Sequence, residues 1–263
     1  MESLKELYRV GPGPSSSHTI APKRALEETM SRYPNATSFK VALYGSLALT
    51  GRGHLTDYIL KKTASPKECE VKFDINMEVS HPNTMDLFAY EGDNLIGKVR
   101  AYSIGGGKIS FEGEKYFVDQ NVFPFNSMRE IRDAINRENK SLLELVYDYD
   151  KDIKIHLEYV LNKMFNSVER GLVATGLIPG KLKLEKVAKD IYEEAINMDT
   201  TNTGSNKTKL LVTAYAYAVA EENASGGEVV TAPTCGSAGV VPSVLYYFYK
   251  MYSIKWISYN CQA

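Results

Sequence analysis

Apolar residues follow two rhythms along this chain, and the change comes near its middle. Up to about residue 150 they alternate in short stretches, the period of half-buried strands. Ser38–Leu43, Glu70–Ile75, Met85–Tyr90 and the longer Asn94–Ile104 predict strands, the last stopped by Gly105, Gly106 and Gly107. Ahead of them, Ala21–Arg32 predicts a helix with Pro22 near its start, where proline is tolerated. From Lys151 onward the apolar spacing becomes helical, in Ile153–Val168, Leu184–Met198, Lys207–Glu221 and Val240–Met251. Pro179–Gly180, Asn202–Gly204 and Gly226–Gly227 break these runs.

The pattern predicts an α+β fold: an α/β-like domain over residues 1–150, then an all-α domain over residues 151–263. The polar stretch 138–152 marks the boundary. Val240–Tyr252 is rich in aromatics and is expected to be buried. Few upstream partners are available to bury it, so the helical domain is expected to be incomplete at residue 263.

Composition narrows the class. Hydrophobic residues make up 44% and charged residues 24% of the chain, the balance of a soluble globular protein. A formal net charge of -1 gives no global field toward nucleic acid or an anionic membrane. No apolar run reaches the roughly 18–20 residues of a membrane span. Met1–Val10 lacks the apolar stretch of a secretory leader, so a cytoplasmic location is expected. Cys69, Cys235 and Cys261 are too few and too scattered for a disulfide framework or a zinc ribbon.

Several segments carry candidate chemistry. Gly11–Thr19 (G-P-G-P-S-S-S-H-T) sets Ser15, Ser16, Ser17, His18 and Thr19 just before a helix, where open N–H groups suit an anion. A hydroxyl-capped helix after a rigid turn accounts for the same residues. Tyr44–Asp57 (Y-G-S-L-A-L-T-G-R-G-H-L-T-D) brings His54, Thr56 and Asp57 into one strand–loop–helix turn, with His54 and Asp57 a possible acid–base pair. His81–Thr84 (H-P-N-T) presents an imidazole and the Asn83 amide on a proline-stiffened loop. Ser103–Lys108 (S-I-G-G-G-K) reads as a bulged turn between strands. Glu221–Pro242 holds Cys235 in a P-T-C-G-S turn with Thr234 and Ser237; a cysteine at a helix N-terminus is expected to have a lowered pKa, and a small buried cysteine is the plainer alternative.

In order and together, G-P-G-P-S-S-S-H-T, Y-G-S-L-A-L-T-G-R-G-H-L-T-D, H-P-N-T-M, Y-S-I-G-G-G-K-I and E-E-N-A-S-G-G-E-V-V-T-A-P-T-C-G-S-A-G-V-V-P resemble the iron–sulfur-dependent L-serine dehydratases (L-serine ammonia-lyases). The resemblance runs from Leu4 to about Tyr249. It implies that residues 1–150 form that family's β domain and 151–263 the beginning of its α domain. It implies conversion of L-serine to pyruvate and ammonia, with a [4Fe–4S] cluster as Lewis acid and no pyridoxal phosphate. His54 and His81, with Thr56 and Asn83 beside them, would be catalytic. Ser15, Ser16, Ser17, His18, Thr19, Thr234 and Ser237 would bind substrate. Cys235 would be one cluster ligand. The family's further cluster cysteines have no counterpart here, so the isolated chain is expected to be inactive without a completing chain or a homo-oligomeric partner. A non-catalytic module that binds serine or an anion is the alternative.

Overall fold

The computed structural model describes residues 1–114, 121–180, 182–198 and 204–252. Its first half is built from β1 (Val10–Pro12), α1 (Ala21–Arg32), β2 (Ser38–Tyr44), α2 (Gly45–Thr50), α3 (Thr56–Ala64), β3 (Glu68–Asp74), β4 (Thr84–Glu91), β5 (Asn94–Gly105) and β6 (Lys108–Phe111). Five of these strands form one sheet in the order β3-β2-β4-β5-β6, parallel only between β2 and β3. The alternation that predicted the strands also fills the core. Leu43, Met85, Leu87, Ala89 and Ala101 are all fully buried with Ala25 and Leu26 of α1 and Leu60 and Ala64 of α3. On the other face Asp86, 2% exposed, is held by Arg100 at 2.6 and 2.9 Å and by the Tyr44 hydroxyl at 3.2 Å. That bidentate pairing is what keeps a buried carboxylate tolerable.

Tyr44–Asp57 is more structured than a strand–loop–helix turn. The helix α2 starts directly at Gly45, whose positive φ of 53° turns the chain where any Cβ would meet the Pro82 carbonyl oxygen at 2.5 Å. The stretch before the polar boundary folds into α4 (Met128–Glu138), and the boundary itself into α5 (Leu142–Tyr149). Ile131, Ala134 and Ile135 share one face of α4 at helical spacing, and caps mark both starts: Ser127 accepts from Glu130 N–H, and Ser141 with Glu144 forms a capping box.

The second half contains α6 (Ile153–Val173), α7 (Ala188–Asn197), α8 (Gly204–Ala224), β7 (Glu228–Val230) and α9 (Val240–Tyr252). It is not purely helical. Strand β7 pairs antiparallel with β1 from the opposite end of the chain, Val10 against Val230 and Pro12 against Glu228. Val160, Met164 and Val230 pack with Tyr8 and Val10 around this ribbon, so the two halves share a core. The expectation for α9 also needs correction. Tyr246 is buried against Phe165 and Tyr215, but Val240, Val244, Phe248, Met251 and Tyr252 lie exposed along the other side. Among the described residues no helix is long and apolar enough to cross a membrane.

Candidate active site

The β1–β7 ribbon fixes the path of everything that follows β1. Gly13 N–H donates to the Gly227 carbonyl at 2.9 Å, and the Asn223 amide reaches the Pro14 carbonyl at 3.4 Å. A Cβ on Gly13 would lie 2.1 Å from the Asn223 carbonyl oxygen, so this crossing has room only for glycine. Beyond it the chain makes a wide helical turn, Ser16–Ile20, that runs into α1. Wide turns of this kind recur at functional sites. Ser15 caps the turn by accepting from His18 N–H at 3.2 Å. The Thr19 hydroxyl, fully buried, is used up between the carbonyls of Pro12 (2.7 Å) and Ser15.

This turn brings two of the predicted residues together. The imidazoles of His18 and His54 lie with centroids 4.5 Å apart. His18 meets Ser15 Oγ at Nδ1 and Ser46 Oγ at Nε2, each at 3.2 Å. The buried Thr56 hydroxyl donates to the His18 carbonyl at 2.7 Å, fastening the start of α3 to the turn. Burial, then the neighbouring His54, lowers the pKa of His18, and the contact with Ser46 only partly offsets this. His18 is therefore neutral near pH 7.

The tautomers of two histidines follow from their partners. His54 Nδ1 lies 3.0 Å from the Thr50 carbonyl, which can only accept. Nδ1 must donate, so in neutral His54 the lone pair sits on Nε2. His81 is the opposite case. Its Nδ1 accepts from Asn83 N–H at 3.1 Å, leaving the proton on Nε2. The His81 ring packs at 5.5 Å on Tyr102, while Pro82 connects it to the first cluster: its carbonyl accepts from Ser46 N–H at 2.7 Å.

The Cys235 region is built differently. Thr234 and Ser237 share a hydrogen bond at 3.2 Å, and Ser237 also donates to the Ala232 carbonyl at 2.8 Å, so both hydroxyls serve the turn itself. Cys235 is 2% exposed and begins a three-residue helical turn packed with Ala238 and Tyr246. The expected lowering of its pKa is overturned: with only a short turn behind it, desolvation dominates and pushes the thiol up to about 12. Cys69 lies on β3 in the other half, and Cys261 falls outside the described residues. No group of three or more His, Cys, Asp or Glu side chains placed to hold a metal exists among the described residues. One buried thiol does not fit a four-iron cluster, which needs several thiolates around it.

Ser46 was not singled out from the sequence; it lay inside a recognised motif but without a role. The hydroxyl-rich composition of that motif was the available signal.

Comparison with known proteins matches residues 28–261 to the family model for the serine dehydratase alpha chain. L-serine dehydratase 2 of Escherichia coli K12 is 29% identical over 95% of this chain and 66% of its own length. L-serine dehydratase 1 of the same organism is 30% identical over 94% of this chain and 66% of its own length. The L-serine dehydratase of Haemophilus influenzae is 30% identical over 96% of this chain and 67% of its own length. The chain thus spans about two thirds of the length of these relatives. With the family match extending across most of the sequence and both halves of the fold, this chain belongs to the serine dehydratase alpha chain family.

Proposed function

We propose that this chain handles L-serine in an L-serine ammonia-lyase reaction. L-Serine loses its α-proton and its β-hydroxyl as water, giving aminoacrylate. Tautomerisation and hydrolysis then yield pyruvate and ammonia. The observation that carries this reading is the His18–His54 pair set among Ser15, Ser46 and Thr56 in a member of this family.

The hydrogen bonds of the histidines and threonines support a role for each. His54, with its Nε2 lone pair, is the general base for the α-proton; positioned bases of this kind contribute about 10²–10⁴-fold. His81 and its Nε2–H supply a proton or hydrogen bond to the departing hydroxyl. Neutral His18 orients the substrate and holds Ser15 and Ser46 in place. Thr56 and Thr19, whose hydroxyls are committed to backbone, position the turn. Ser16, Ser17 and Asn83 line the substrate side. The [4Fe–4S] cluster implied by the resemblance is not assigned a step, because Cys235 alone does not fit it. Ligands beyond Cys235 would come from a second copy or a completing chain, with Thr234 and Ser237 shaping that edge of the site.

Pyruvate formation from L-serine, measured on the purified chain after anaerobic incubation with iron and sulfide, tests the assignment alongside L-serine binding by calorimetry. Saturable serine binding that is lost in His18→Ala is the expected result. Turnover by the chain alone would mean that it completes its own cluster site. A folded chain that neither binds L-serine nor forms pyruvate would overturn the assignment.

A further inference from the structure

Buried polar side chains normally find partners, and exceptions call for an explanation. Among the described residues, the buried side-chain atoms left open are Asn83 Oδ1, Ser103 Oγ, Glu221 Oε2, Asn223 Oδ1 and Ser225 Oγ. They fall in two groups. Glu221 uses its other oxygen to accept from Val187 and Ala188 N–H at the start of α7. Asn223 and Ser225 belong to the turn that grips Gly13 and Pro14. Asn83 directly precedes β4, and Ser103 lies across from it on β5.

Asn83 and Ser103 stand next to each other. Ser103 N–H donates to the Asn83 carbonyl at 2.9 Å, continuing the β4–β5 pairing beyond Thr84 and Tyr102. Strand alternation puts Ser103 on the face of Ala101 and Asn83 on the face of Met85, the face covered by α1. The Ser16–Ile20 turn packs against β5 on the way into that helix. Asn83 also follows Pro82, whose carbonyl holds Ser46, the partner of His18. The nearby cations do not fill the gap: Arg9 reaches the Gly106 carbonyl at 2.8 Å and Arg24 the Gly107 carbonyl at 3.0 Å. Ser103 is only 1% exposed, yet no partner is built for it among the described residues.

An amide oxygen only accepts, and a hydroxyl accepts and donates. Two such groups side by side match a compact group that donates several N–H bonds. We infer that Asn83 Oδ1 and Ser103 Oγ form the subsite for the α-ammonium group of the amino-acid substrate. This rests on the dehydratase assignment and adds Ser103 as a specificity-determining residue.

Calorimetry on the full chain with L-serine and with 3-hydroxypropionate, which keeps the hydroxyl and carboxylate but lacks the ammonium, tests it. Wild type is expected to prefer L-serine by about tenfold or more, the scale of a hydrogen bond to a charged group. Ser103→Ala is expected to lose about that factor for L-serine while 3-hydroxypropionate is unaffected. Asn83→Ala is the second variant, with the same expected selective loss, should Ser103→Ala melt early. Unchanged L-serine affinity in the folded variants, or equal losses for both ligands, would overturn the subsite alone. Wild type that binds 3-hydroxypropionate as tightly as L-serine would also overturn it. Wild type that binds neither ligand would instead overturn the dehydratase assignment on which it rests.

Discussion

The sheet core and the histidine pair lie in the same half of the fold, but core and site are made on opposite principles. In the core, contiguous strands bury Leu43, Met85, Leu87 and Ala101 side by side, and backbone ladders satisfy the polar groups. At the site, loops from distant parts of the sequence converge: the Gly11–Thr19 stretch, the α2–α3 turn, the His81–Pro82 loop and the turn after α8. Its contacts are single hydrogen bonds and close backbone approaches, and it leaves polar atoms open. The core can lose volume without altering chemistry. The site can lose one hydrogen bond and alter chemistry without altering the fold.

The largest expected effect is on the core side. Leu87→Ala removes a fully buried side chain and should cost about 2–5 kcal/mol by urea unfolding. The lowered titration of His18 should survive in whatever fraction remains folded. A His18 midpoint that moved with this change would break the separation between the two regions. Gly13→Ala comes next. The added Cβ must displace the Asn223 backbone, and overpacking of that kind costs about 1–3 kcal/mol. Unlike Leu87→Ala, it should weaken L-serine binding in the molecules that stay folded. Equal affinity would show that the crossing serves stability alone.

Thr56→Val is smaller. It removes the donor to the His18 carbonyl and should cost about 1 kcal/mol, read by thermal unfolding. Its sharper signature is a changed chemical environment for His18. The smallest effect is pH dependence. Because the folded His18 has a lowered pKa, the unfolded chain takes up its proton first as the pH falls below about 6.5. The contribution of His18 to stability is complete above that value and is lost as the pH falls from there toward the folded-state pKa. His18→Gln should flatten this part of the stability–pH curve. An unchanged slope would assign the acid sensitivity elsewhere.

The same contrast explains what the sequence revealed. Strands with strict alternation and helices with a wide apolar stripe were legible, and α1 runs over the predicted Ala21–Arg32. Helices α4 and α5 were missed because charged residues interrupt short apolar faces such as Ile131, Ala134 and Ile135, although caps mark both starts. The partner of β7 lies at the other end of the chain, beyond the reach of any local pattern. Histidines and serines of the site stood out by composition. Their grouping did not, because whether His18 meets His54, or His81 meets Tyr102, depends on how the loops cross. Cys235 shows the same limit: its turn was visible, but the burial that raises its pKa was not.

The most direct measurement is an NMR titration of the histidine imidazole signals with L-serine. The proposed chemistry predicts saturable shifts for His18 and His54 with a common midpoint. His156, which lies by the Tyr8 carbonyl at 3.3 Å, should stay unmoved. Histidine signals that remain unchanged at saturating L-serine in the folded chain would contradict the assignment of this site.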